Sequence, residues 1–526
     1  MVCVRQPESY RREAPANSLA GVARARGGGP RGPGARLPDP LAYKDHGRLR
    51  SPWNGAAGSL IHYPLMSLLS KLAASGVVLI ALPLWAQKPE TVNPGTVLPD
   101  DSVALENQIR HSKFDQVLPR VMRDNDIDMW IHVMRPWTPD PLSFELGGDV
   151  GIFIFTDRGG DRIERALFAG EVDDVDAYDI IDRPLVELPT FVNGVITEQP
   201  GGDETDYLEF RFDGVGKFVA QRDPRRIGVN YSEALGLSAA SERAPLTDGL
   251  SHTDYTLLMD ELGETYAGRV VSAEYLIIDY LAGRVAEEIE LYHQFGLIAA
   301  DNLDREFGKV VPGVTKLSDL EGNVFRRDPG GFEYHVSDPE PYVLQPGDVF
   351  TILHGAGNRI FSSDLGGNAY LLREGETEAP PEIERIWRVA LDVRQMLLDN
   401  IVAGRTAGET LDLLIRKIEG AGYYYNPVDQ YDPTADPLET QVHLDVHAVG
   451  RSGLVAPRIS PLGSNWEREM TIPVLHTFTF EYMIHMPVPV WGEGKHIYIA
   501  FHDGAVVTET GVEFPYPPDP GIRLIR

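Results

Sequence analysis

Gly347-Asp348-Val349-Phe350-Thr351-Ile352-Leu353-His354-Gly355 is the first of four short stretches, in fixed order, on which the reading of this chain turns. Asp364 follows it in Phe361-Ser362-Ser363-Asp364. Then come Leu444-Asp445-Val446-His447-Ala448-Val449-Gly450 and Leu475-His476-Thr477-Phe478-Thr479-Phe480-Glu481. The last is Ile499-Ala500-Phe501-His502-Asp503, closed by Val506-Val507-Thr508-Glu509-Thr510-Gly511. A lone histidine is more often a satisfied core or surface residue than a ligand, and His476, His485 and His496 are read that way. Acids and histidines recurring in four ordered stretches ask for a common explanation.

Working outward, Leu281, Val285, Ile289, Tyr292, Phe295, Ala299 and Leu303 recur at steps of three or four. That period predicts one amphipathic helix from Asp279 to Phe307, stopped before Val311-Pro312-Gly313. A second helix is predicted from Glu382 to Ile401, with Ile383, Ile386, Ala390, Val393 and Leu397 on one face. Each runs into a V-x-G-x-T segment, ending at Thr315 and Thr406, and then into a further predicted helix. The repeat suggests an internal duplication. Upstream, a helix from about Asn107 to Arg123 precedes short strands at 127–133, 150–155, 165–169 and 226–230, a mixed α/β pattern.

At 526 residues with 43% hydrophobic side chains, the chain can bury two ordinary domain cores. Residues 1–65 differ from the rest, with nine Arg, one Lys, four acids, nine Gly and eight Pro. They are expected to be either a disordered tail or a spurious upstream extension. Met66 opens a short region with one cation, Lys71; Leu72 to Leu84 is apolar; Leu84-Trp85-Ala86 ends it. That layout predicts a signal peptide over 66–86, cut after Ala86. The single cysteine is Cys3, so disulfides and thiol chemistry are excluded from the rest. Removing the 11 bases and 4 acids of residues 1–86 from totals of 48 and 78 leaves a net charge of −37. Such a surface repels nucleic acid and anionic membranes. The expectation is a secreted or periplasmic protein with no nucleic-acid partner and no stable membrane span.

The four stretches resemble those of the pita-bread family of creatinase, aminopeptidase P and prolidase. The first resembles its G-D-x-x-x-x-D-x-G strand, the second L-D-V-H-D-V-G, the third the strand of its fourth metal ligand, and the last I-R-I-E-D…V-T-E-T-G. The resemblance covers about residues 271–526 and, more weakly, the domain before. It implies an α/β (α+β) fold: a mixed N-terminal creatinase-like domain over 87–270, then a pseudo-twofold pita-bread peptidase-like domain over 271–526. It also implies hydrolysis of an amide or other C–N bond in a short peptide or small molecule, and a homodimer.

The resemblance further implies five metal ligands, and here most are replaced. Leu353 and Thr440 occupy two lost positions; Asp364 and Glu481 match; His502 stands where a bridging glutamate belongs. Two ions about 3.5–4 Å apart need bridging carboxylates, whereas a neutral imidazole offers one lone pair to one metal. Three readings stay open. One divalent metal (Zn, Mn or Fe) is held by Asp364, Glu481 and His502 with His443, His354 or His447. Alternatively the site works without metal, as in creatinase, with His335, twelve residues before Gly347, as general base and His447 beside it. Alternatively the domain only binds.

Overall fold

Helix α1 (Ser102–Gln116) and helix α2 (Leu118–Asp124) stand where a single helix is expected. Pro119 lies in the first turn of α2, where its missing N–H costs nothing, and the chain restarts there. In this computed structural model the described residues are 102–526, apart from 137, 185–189, 193–194, 199–211, 234, 236–247 and 452–455. The expected extension over 1–65 and signal peptide over 66–86 lie outside the described residues.

The first sheet is built on β1 (Met129–Met134), buried along its whole length. It pairs antiparallel with β2 (Val150–Asp157), which pairs antiparallel with β3 (Ile163–Glu171), and β4 (Ile180–Pro184) adds in parallel. A separate hairpin joins β5 (Thr190–Val192) to β6 (Val195–Glu198). Helix α3 (Val215–Arg222) leads to β7 (Ile227–Val229), and helix α4 (His252–Ala267) to β8 (Val270–Ser272). The order is β4-β3-β2-β1-β7-β8. Strand alternation sends Met129, Ile131 and Val133 into one apolar cluster and Trp130 and Met134 into another.

The predicted stripe from Leu281 to Leu303 is buried, apart from the partly buried Ile289, but it is carried by two helices. Helix α5 (Glu274–Ala282) stops at Gly283, which is extended, and helix α6 (Ala286–Gly308) restarts after Val285. The break is held by side chains. The Arg284 guanidinium donates to the Leu281 carbonyl at 2.6 Å, and the Glu288 carboxylate accepts from the Val285 N–H at 3.0 Å.

Strands β9 (Asn323–Arg327), β10 (Glu333–His335), β11 (Val349–Leu353) and β12 (Gly366–Leu371) follow, then helices α7 (Pro381–Asn400) and α8 (Ala407–Gly420). The two V-x-G-x-T segments diverge here. Thr406 caps α8, accepting from the Glu409 N–H at 3.1 Å, as a capping box requires. The Thr315 hydroxyl instead turns back to Val311 and Lys309, so only a three-residue turn at Leu317–Asp319 forms. The expected second helix is therefore present in one unit and absent from the other.

The remaining strands are β13 (Tyr424–Tyr425), β14 (Gln441–Leu444), β15 (His447–Ala448), β16 (Thr477–Pro487), β17 (His496–Thr508), β18 (Gly511–Glu513) and β19 (Arg523–Ile525). They form a sheet β13-β14-β16-β17-β18, with β15 on β16; β19 instead closes the sheet β10-β9-β11-β12-β19. On β16 and β17 one face is apolar. Phe478, Phe480, Tyr482 and Ile484 with Ile497, Ile499 and Phe501 pack on the buried stripes of α7 and α8. The opposite face carries Glu481, Met483 and His485 across from His502, Ala500 and Tyr498. Burying charged groups on that face is costly unless they are paired, so the functional site is sought there.

Candidate functional site

Glu481 lies near the middle of β16 and His502 is its cross-strand partner on β17. Such partners stand about 5 Å apart, so their side chains meet. His502 Nε2 lies 3.4 Å from Glu481 Oε1, and its Nδ1 lies 3.2 Å from Asp364 Oδ2. Asp364 reaches the site from the segment just before β12. There a Cβ on Gly366 would fall 2.8 Å from Leu353 Cδ2 and 3.2 Å from His502 Cβ, so a side chain at this position would have to push both aside. His447, brought in by β15, places Nε2 3.1 Å from Glu481 Oε2 while Nδ1 faces the Ala448 carbonyl at 2.9 Å.

The electrostatics follow from this pairing. Burial works against charge on His502, but Glu481 and then Asp364 overcome it and hold the imidazole pKa well above its ordinary range. His447 behaves alike: burial lowers its pKa, and the bond and charge of Glu481 raise it further than burial lowers it. Burial pushes Glu481 and Asp364 upward. The His502 charge, joined by His447, more than offsets it, so both carboxyls sit below their usual range. At neutral pH the cluster is two carboxylates with an imidazolium, His502, between them, and His447 is shifted toward its charged form.

Asp364, Glu481, His502 and His447 are thus brought together from four parts of the sequence. Leu353 borders this cluster, since a Cβ on Gly366 would meet both Leu353 and His502, while the remaining named residues are engaged by other partners. Leu353, paired with Gly366, turns into an apolar cluster of Phe325, Met483, Tyr498 and Ala500. Thr440 precedes Gln441, which pairs with His485, so the count of seven residues before His447 carries it several strand positions from Glu481. His443 pairs with Met483; its Nδ1 faces the Asn426 carbonyl at 3.0 Å and its buried Nε2 has no hydrogen-bond partner among the described residues. His354 turns its Nδ1 to the Gly355 carbonyl. His335 is engaged by Asn323 Oδ1 and Ser337 Oγ, both at 2.6 Å, and its Nδ1 also accepts from the Ser337 N–H. With both ring nitrogens committed to neutral partners, it is not poised as a base for the cluster.

Arg458 is a contributor that the sequence reading missed. It grips Asp445 with two bonds of 2.7 and 2.6 Å, and the Asp445 N–H donates to the Glu481 carbonyl, fixing β14 and β15 beside the cluster. Arg458 lies outside the four stretches, so no motif marks it.

These residues do not fit the two-metal centre that the resemblance implies. His502 turns both ring nitrogens to carboxylates and has no lone pair left for a metal. Leu353 is an apolar packing residue and Thr440 is remote. Among the described residues, no group of three or more His, Cys, Asp or Glu side chains is arranged to hold a metal ion. No helix among them is long and apolar enough to cross a membrane.

No family model matches the chain, and no curated protein matches it. Solved structures do. One is an X-Pro aminopeptidase from Thermotoga maritima, 15% identical, covering 77% of this chain and 100% of that one, with a TM-score of 0.47. Another is a dipeptidase from Mycobacterium ulcerans, 14% identical, covering 80% and 98%, TM-score 0.47. A third is an Xaa-Pro dipeptidase from Bacillus anthracis, 14% identical, covering 79% and 99%, TM-score 0.45. The likeness to these peptidases is one of fold.

Proposed function

We propose that this protein is an exported, divergent relative of the Xaa-Pro peptidases that has exchanged the two-metal hydrolytic centre for a histidine–carboxylate cluster. On this reading it binds a short peptide or small molecule without hydrolysing it. The supporting observation is His502 between Asp364 and Glu481, at 3.2 and 3.4 Å. A metal-bound hydroxide requires carboxylates free to take cations, and here the protonated His502 already fills that role. Metal-free hydrolysis is the weaker reading, since His335, His447 and His502 each have both ring nitrogens engaged. Export and assembly as a homodimer belong to the same proposal and rest on the sequence. The test is turnover of Xaa-Pro dipeptides with added Mn2+, Zn2+ or Co2+. No turnover is expected; hydrolysis that a chelator abolishes overturns the proposal.

A further inference from the structure

A cavity opens along β17, beside residues of β9 and β11. It measures ≈ 290 Å³ and is lined by Arg326, Arg327, Arg373 and Lys495, with Trp491 and Tyr498 among its apolar walls. Tyr498 precedes His502 by four residues on β17, which places the cavity about 13 Å from the cluster at ~3.3 Å per residue. Leu353, Phe325, Met483 and Ala500 plug the space between.

The lining is unusual for this chain. With 78 acids against 48 bases, a random patch of surface is acidic, yet among the described residues no Asp or Glu lines the cavity. Two of the four cations are spoken for: Arg326 by Asp348 at 2.8 Å, and Arg327 by Asp429 and Glu333, each at 2.7 Å. The others are available. Arg373 pairs with Glu376 at 3.4 Å on an exposed edge, a pairing worth little, and lies over the Tyr370 ring at 5.9 Å. Lys495 has no ion pair among the described residues. Oδ1 of the nearby Asp328 accepts from the N–H groups of Gly330 and Phe332 at 2.8 and 3.0 Å. Beyond the cations stand Trp491, Val349 and Ile497, surfaces suited to a flat apolar group.

We propose that this cavity is a binding site for a small organic anion, a carboxylate or phosphate monoester with a flat apolar body. Lys495 and Arg373 take the charge, and the body lies against Trp491. A pocket near 300 Å³ with apolar walls and a few fixed polar groups suits a ligand of that size.

The probes are benzoate, phenyl phosphate and the uncharged benzyl alcohol, titrated by calorimetry against the full protein. Saturable binding of at least one anion, weaker binding of the alcohol, and about a tenfold loss in Lys495→Gln are expected. Arg373→Gln is expected to weaken binding similarly, which covers a failure of the first variant to fold. The result of benzoate against phenyl phosphate assigns the headgroup. Binding of neither anion, equal binding of the alcohol, or affinity unchanged in both variants overturns the proposal. So does affinity lost in His502→Ala and kept in Lys495→Gln, because the anion then sits at the other cluster.

Discussion

Replacing His502 by alanine removes the cation shared by Asp364 and Glu481. Taking one partner from a buried ion pair costs about 3–5 kcal/mol, because the other charge is left without compensation. Two features place this case at the low end. Glu481 keeps His447 at 3.1 Å, and the Asp364 side chain is 32% exposed, so water screens part of its charge. The expected loss is about 3 kcal/mol near pH 7.5, read by urea denaturation followed through tryptophan fluorescence. The pH dependence separates this from loss of packing. In the native protein both carboxyls have depressed pKa values, so their stabilisation is present above the unfolded pKa values of 3.8 and 4.5 and is lost as pH falls through the folded ones. In the variant the unpaired carboxyls take up protons at higher pH, so acid costs it less. The gap between the two proteins should shrink to about half or less near pH 4.5. A gap that is unchanged with pH, or below about 1 kcal/mol near pH 7.5, refutes the shared-cation account.

His502 also gives the native protein an alkaline limb. Its folded pKa is raised, so its contribution is complete below pH 6.5 and fades as pH rises through the folded value, visible as falling denaturation midpoints that His502→Ala lacks. Asp519 behaves oppositely: burial pushes its carboxyl up to about 7, from 3.8 unfolded, so ionising it costs stability as pH rises between those values. Asp519→Asn should therefore gain on the native protein by about 3 kcal/mol between pH 5 and 8, and a flat difference in denaturation refutes this. Leu353→Asp should lose about 3 kcal/mol by burying an acid among Phe325, Met483 and Ala500, with no gain of bound metal by elemental analysis. N-terminal sequencing of the exported protein should begin at Gln87, and finding residues 1–65 on it refutes the signal-peptide reading.

Much of this architecture is legible in the sequence because periodicity reports burial. The stripes of α6 and α7 are read from apolar spacing. The break at Gly283-Arg284 is not, because the stripe continues in phase across it; its cause is a buried Arg284 and a cap from Glu288, both tertiary. Likewise Thr315 and Thr406 look alike in sequence and differ only in what their hydroxyls meet. In the site, Asp364, Glu481 and His502 are placed by the motif resemblance, and strand register then explains why Glu481 and His502 face each other. Thr440 was misplaced because counting residues back from His447 crosses the end of β14, where a count no longer measures distance to Glu481. Arg458 and the basic cavity carry no motif, and Lys495 and Arg373 meet only through folding.

The central claim is that a protonated His502, flanked by His447, stands where the resemblance implies metal ions. Metal content of the mature protein, purified without chelators and read by elemental analysis alongside His502→Ala, tests it most directly. The account predicts no stoichiometric metal in either protein. Two equivalents per chain, or one equivalent that disappears in His502→Ala, contradicts it.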